Sequence, residues 1–279
     1  MRKYEYSTFK WLAVAIILTI CFACFQGFSV DAGDQLSERL GAIRSQKREL
    51  GKWADWEKQE AQFLELIKDY NSPAEKGKIY TTIARLYSQE GWRFQSEDPR
   101  IPKAIKYCKE ALQYPLEVTA ACEMHGSLAD AMLIRYRNRT KEEFVKIRQE
   151  AIVSCLTGLK LALDNNAPKE HPESPGRMRV PHVHPENGPI YEEAMRKYKE
   201  QLAAHKKWLF LENLYFQRKA FTQRCVSFYS HKPYATDELN RIAEKILKGH
   251  EGVAKELLGE VEAEIARREK GSVPDQGVK

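Results

Sequence analysis

The sequence predicts an all-α protein, and three observations carry that expectation. Apolar residues recur at three- and four-residue steps along most of the chain, and no stretch alternates with the period of two that a half-buried strand requires. Two segments, "SPAE" from position 72 and "TKEE" from position 140, set a hydroxyl residue three positions before a glutamate, which satisfies the free amides of a helix start. The composition, 43% hydrophobic and 30% charged over 279 residues, is that of a folded domain with enough chain to bury a core. The 45 basic and 39 acidic residues are mixed along the chain, so the net charge of +6 reads as a solvated helical surface. No basic block marks a nucleic-acid face, and no nucleic-acid partner is expected.

Residues 1–32 open with Arg2, Lys3 and Lys10 against Glu5. The uncharged run "WLAVAIILTICFACF" follows at 11–25, shorter than the roughly 20 residues of a spanning helix. A positive start, a short apolar core and tolerated residues at Val30 and Ala32 predict a signal peptide or an N-terminal membrane anchor. Lipidation fits poorly: Ile20 precedes Cys21 where a small residue is needed, and Cys21 stands three before Cys24 where an aliphatic one is needed. The expectation is an exported protein of the periplasm or cell envelope, with inner-membrane attachment through 11–25 if the segment is retained.

Residues 33–71 carry N-terminal helices. Leu36, Leu40 and Ile43, then Leu50, Trp53, Trp56, Phe63, Leu66 and Ile67, keep mostly helical spacing, with the polar stretch "RSQKRE" as a break between them. At 72–75, Ser72 is the N-cap, Pro73 takes the first helical position and Glu75 the third, and the helix ends near Gly91. Pro102 is expected to open the next helix, which stops before Pro115, and another follows from about 117 to 137. Thr140 and Glu143 then start a long helix with Phe144, Ile147, Ala151, Cys155 and Gly158 on one stripe.

Residues 167–189 hold six of the twelve prolines and lose all periodicity, which predicts a Pro/His-rich linker loop. A helical pattern resumes and runs through 190–270. Its first helix reaches about position 229. Within it "ENLYFQ" at 212–217 matches a plant-virus protease recognition sequence, but Arg218 follows and the apolar face continues through it, so it reads as native helix. Thr236 caps a helix with Leu239, Ile242 and Ile246, and a last helix spaces Val253, Leu257, Val261 and Ile265 by four. Residues 271–279 read as a flexible tail.

The segment 72–166 bears on function. Tyr80, Ile83, Ala84 and Tyr87 are followed by Ala104, Cys108, Ala111 and Pro115; His125, Leu128, Ala129 and Met132 by Ala151, Cys155 and Gly158. In both sets small residues recur where two helices must approach, with bulky ones filling the groove between them. The segment resembles the tetratricopeptide-repeat family, as two degenerate units whose inter-helix connections are about eight and ten residues too long. The resemblance covers about a third of the chain. It implies antiparallel helix pairs stacked as a short solenoid, extended by the C-terminal helices, with a groove that binds a protein or peptide partner.

On that reading the candidate partner-binding residues are Tyr80, Tyr87, Trp92, Arg93, Phe94 and Arg100, the middle three in the insertion after Gly91. The other reading of Trp92 and Phe94 is that they fold back onto the helices. The weak metal candidates are His182 and His184, with His171, Glu173 or Glu186 to complete a shell; exposed loop histidines are the plainer reading. Neither a GxSxG turn nor a glycine-rich phosphate loop occurs, and the four cysteines beyond position 32 (Cys108, Cys122, Cys155 and Cys225) form no CxxC pair. Buried thiols are favoured over bridges there, and no cofactor is expected. The leading expectation is a non-enzymatic interaction scaffold. The alternatives are a metal-dependent enzyme or metal-binding protein using the histidine loop, and a structural, membrane-tethered helical protein.

Overall fold

A computed structural model describes residues 35–46, 53–88, 98–135, 141–178, 181, 186, 188–229 and 236–271. Among these residues the protein is all-helical, with no strand. The chain divides into two compact units, 1–46 and 47–279. The first contributes helix α1 (Gln35–Arg44), which closes where Ser45 Oγ donates to the Ala42 carbonyl at 2.9 Å. Residues 1–32, where the export expectation rests, lie outside the described residues, as do 47–52.

The second unit holds α2 (Trp53–Asp69), α3 (Pro73–Ser88), α4 (Arg100–Ala111), α5 (Val118–Arg135), α6 (Lys141–Asp164), α7 (Gly188–Tyr229), α8 (Thr236–Ile246) and α9 (Glu251–Gly271). From α2 to α7 each helix packs on the next in sequence; α8 rests on α6, and α9 on α7 and α8.

Local chemistry sets several helix ends. The capping box at α3 is formed in both directions: the Glu75 amide donates to Ser72 Oγ at 3.3 Å, and the Ser72 amide donates to Glu75 Oε2 at 3.0 Å. Helix α4 starts at Arg100, two residues before the expected Pro102. The Asp98 carboxylate accepts the Arg100 amide at 2.9 Å, and Pro102 sits in the first turn, where no amide is needed. Helix α6 closes with Asn166 in the left-handed region at φ 63°. The Asn166 amide donates to the Leu163 carbonyl at 2.9 Å and the Ala167 amide to that of Ala162 at 3.0 Å, so two terminal carbonyls are satisfied. Thr140 lies outside the described residues, so its cap is not seen.

The seams run antiparallel. Across α3 and α4, Gly77 lies against Tyr114 and Leu116, while Tyr87 stacks on Tyr107. Between α5 and α6, the Cys122 thiol approaches the Gly158 carbonyl at 3.6 Å, and the Ser154 hydroxyl donates to the His125 carbonyl at 3.1 Å. Gly158 in turn faces Phe221 of α7. Helix α7 is one unbroken element of 42 residues, about 60 Å long. The loop before it is docked, not free: Ala167 accepts from Arg218, His171 pairs with Glu212, and Pro172 accepts from Trp208, so the loop descends along α7. Ion pairs stitch non-sequential helices, with Arg85 gripping both oxygens of Glu123 and Arg224 gripping Asp130.

Gly158 is the tightest of these contacts. A Cβ there would fall 2.8 and 2.9 Å from two ring carbons of Phe221 and closer still to a third. Phe221 is fully buried and cannot yield. Gly158→Ala should therefore destabilise the protein by about 1–3 kcal/mol in urea unfolding, despite alanine's better helix propensity. Phe221→Leu in the same chain should recover part of that loss; additive effects would refute the contact.

Candidate functional site

Of the expected partner-binding residues, the described ones, Tyr80, Tyr87 and Arg100, lie on α3 and α4, and the structure gives them different situations. Trp92, Arg93 and Phe94 lie outside the described residues. Tyr80 is half-buried and stacks on Tyr107 and Tyr114, with ring centroids 6.2 and 5.5 Å apart. Burial, then the neighbouring Tyr114 and Glu110, push its hydroxyl pKa up. Arg100 turns back on Asp98, its guanidinium meeting both carboxylate oxygens, and lies 5.4 Å over the Trp56 ring. Tyr87 differs from the expectation: its side chain is fully enclosed and offers a partner no surface. The reason is Glu60.

Glu60 lies on the apolar face of α2, one turn after Trp56 and three residues before Phe63, where a hydrophobe would be usual. Its residue exposure is 6%. The Tyr87 hydroxyl donates to Oε2 at 2.5 Å, the Tyr107 hydroxyl to Oε1, and the Lys103 ammonium lies 2.8–2.9 Å from both oxygens. Burial pushes the carboxyl pKa up, but the hydrogen bonds from Lys103, Tyr107 and Tyr87 and the lysine charge outweigh it and hold the group below its ordinary value. The same burial and the same carboxylate raise both tyrosines, so they are donors at every physiological pH. Trp53 and Trp56 close the far side of Tyr87, with centroids at 5.9 and 6.0 Å.

The histidine candidates are separated by what is described. His182 and His184 lie outside the described residues. His171 Nε2 stands 3.1 Å from Glu212 Oε1, and its ring meets Tyr215 and Phe216 edge-on at 5.3 and 5.7 Å. Among the described residues no group of three His, Cys, Asp or Glu side chains is placed to hold a metal ion, and no helix is long and apolar enough to cross a membrane. Sequence reasoning passed over the Glu60 cluster, although a glutamate within the Trp56–Phe63 stripe was a visible signal. It also passed over Arg224 and Asp130, whose link joins α7 to α5.

His125 packs at the α5–α6 seam. The one hydroxyl hydrogen of Ser154 goes to the His125 carbonyl, so Nδ1 is the protonated nitrogen and donates to Ser154 Oγ at 3.1 Å. Burial lowers the imidazole pKa to about 4. Compared with known protein families, curated proteins and solved structures, the chain finds no match.

Two predictions follow from the buried groups. Glu60→Gln leaves one oxygen to serve two tyrosines and removes the counter-charge of Lys103, so the urea midpoint should drop by the equivalent of about 2–4 kcal/mol. A change below about 0.5 kcal/mol would mean the cluster is incidental. His125 is more easily protonated unfolded than folded, so its contribution is complete above about pH 6.5 and is lost as pH falls to about 4. The loss should be roughly 3 kcal/mol, and His125→Gln should flatten stability across that window. Glu60 acts in the same direction but lower, below its ordinary carboxyl range, so the two windows separate.

Proposed function

We propose that the chain is a non-enzymatic interaction scaffold, exported to the periplasm or cell envelope, in which degenerate tetratricopeptide-like helix pairs present a groove to a protein or peptide segment. The observation that carries this reading is where the small residues fall. Ala84, Ala104, Ala111, Ala129 and Ala151 are wholly buried, and Gly158 meets Phe221 without a Cβ, at the places the repeat pattern reserves for close helix approach. The antiparallel order of α3 with α4 and α5 with α6 agrees with two such pairs. The buried Glu60 and the part-buried Arg85 and Arg224 are spent on joining helices, which suits a scaffold.

On this reading Tyr87 is a core residue. The partner-facing candidates are Tyr80, the Trp92, Arg93 and Phe94 insertion, and Arg100. Residues 1–32 supply export or, if retained, attachment through 11–25. Affinity would rest on a few apolar anchors, with mixed charges selecting the partner.

Affinity capture from cross-linked envelope extract tests the reading, using the full-length protein beside a variant carrying Trp92→Ala and Phe94→Ala. A discrete partner that the variant loses, with an unchanged melting temperature, is the expected outcome. Capture of nothing, or loss only alongside unfolding, would overturn the groove. The N-terminal mass of the protein from native membranes checks export separately: a start at Gly33 is expected if the segment is cleaved.

A further inference from the structure

Helices α5, α6 and α7 meet at Gly158, which has no side chain to hold them apart. Phe221 of α7 fills the space a Cβ would take, and the Cys122 thiol reaches the Gly158 carbonyl at 3.6 Å. One turn along each helix from that contact, Cys155 of α6 and Cys225 of α7 face each other. The antiparallel register demands this: Gly158 meets Phe221, so a residue three earlier on α6 meets one four later on α7. The register sets the two thiols against one another, and both are fully buried. Cys122 is directed at a carbonyl, and Cys108 lies on α4, so neither competes for the pair.

We propose that Cys155 and Cys225 are the site of a structural disulfide that ties α6 to α7, while Cys108 and Cys122 stay as thiols. A disulfide needs the two Cβ atoms within about 4.5 Å, and the close approach at Gly158, one turn away, favours such a separation. The oxidant is a small or protein-borne disulfide. Cys155 attacks one of its sulfurs, forming a mixed disulfide and releasing one thiol. Cys225 then attacks the Cys155 sulfur of that mixed disulfide and releases the second thiol. Two protein thiols are oxidised and one oxidant disulfide is reduced to two thiols, so atoms and electrons balance.

The order of events follows from burial. In the packed chain, burial and then the neighbouring Cys225 thiol hold the Cys155 thiol well above its ordinary pKa, so the reactive thiolate is scarce. The bond therefore forms while α7 is closing on α6, and the closed core then protects it from reduction. That it forms in the cell rests on the export reading, since only an oxidising compartment supplies the disulfide. The chemistry itself does not depend on that reading and is tested apart from it.

The full-length protein is unfolded in denaturant with reductant and refolded in a reduced and oxidised glutathione buffer. It is then alkylated under denaturing conditions, before any reduction, and digested with trypsin. The expected result is a linked pair of peptides, 149–160 with 225–241, with Cys108 and Cys122 alkylated. The loop closed spans about 70 residues, so the oxidised form should melt about 10 °C above the reduced form. Cys225→Ala should abolish the linked pair and that difference, whereas Cys108→Ala with Cys122→Ala should keep both. Free alkylation of Cys155 in the refolded protein, or its linkage to Cys108 or Cys122, would overturn the proposal. A cleaved N-terminus with a free Cys155 would defeat the disulfide and leave export standing, and the reverse pair of results would do the opposite.

Discussion

The Glu60 carboxylate constrains the first half of the fold more than any other single group. An ionised carboxylate withdrawn from water costs several kcal/mol unless donors replace its hydration. Here the donors come from two other helices: Tyr87 from α3, and Lys103 and Tyr107 from α4. No two of these helices can slide without breaking a hydrogen bond to the buried carboxylate, so the cluster ties their mutual register. Apolar packing tolerates sliding by a fraction of a turn far better. Lys103 keeps about a third of its side chain in water, which limits the desolvation on the cationic side. The carboxylate carries the burial, and the lysine lends charge from the rim.

The same logic recurs further along, with arginine in place of tyrosine. Arg85 to Glu123 joins α3 to α5, and Arg224 to Asp130 joins α7 to α5, each with a forked guanidinium on both oxygens of a carboxylate. These bonds link elements distant in sequence. The sequential seams rely on small residues and aromatic stacking instead. Two kinds of adhesive thus do different things: close apolar seams stabilise each neighbouring pair, and polar forks set how pairs are stacked on one another.

How much of this was legible in the sequence depended on the range of the interaction. The capping box at Ser72 is a four-residue device, and it formed as the sequence implied. The end of the first helix at Arg44 followed from the polar stretch that begins there. The expected start of α4 lies two residues late because Asp98, just ahead of the N-cap Pro99, accepts the Arg100 amide and turns the chain into the helix there. The loop at 167–178 reads as a linker by composition, yet Trp208, Glu212 and Arg218 on a helix some forty residues away hold it in place. Tyr87 looked like a binding aromatic because its partner, Glu60, stands 27 residues earlier on another helix. Local rules reach a turn or a cap; they do not reach a hydroxyl donating across the core.

What separates a structural charge from a functional one is whether its partners exhaust it. Glu60 takes three donors, Arg85 and Arg224 each fork onto a carboxylate, and His125 is held neutral with its donor nitrogen committed to Ser154. A general acid or base needs a proton within reach of a substrate and a pKa near the working pH. These groups have pKa values moved away from neutrality and sit among packed side chains instead of in a cleft. Their shifts are the signature of interior adhesion. The same chemistry that would perturb a catalytic residue is here turned to holding helices in register, and the proposed scaffold role would need that rigidity before any surface residue could select a partner.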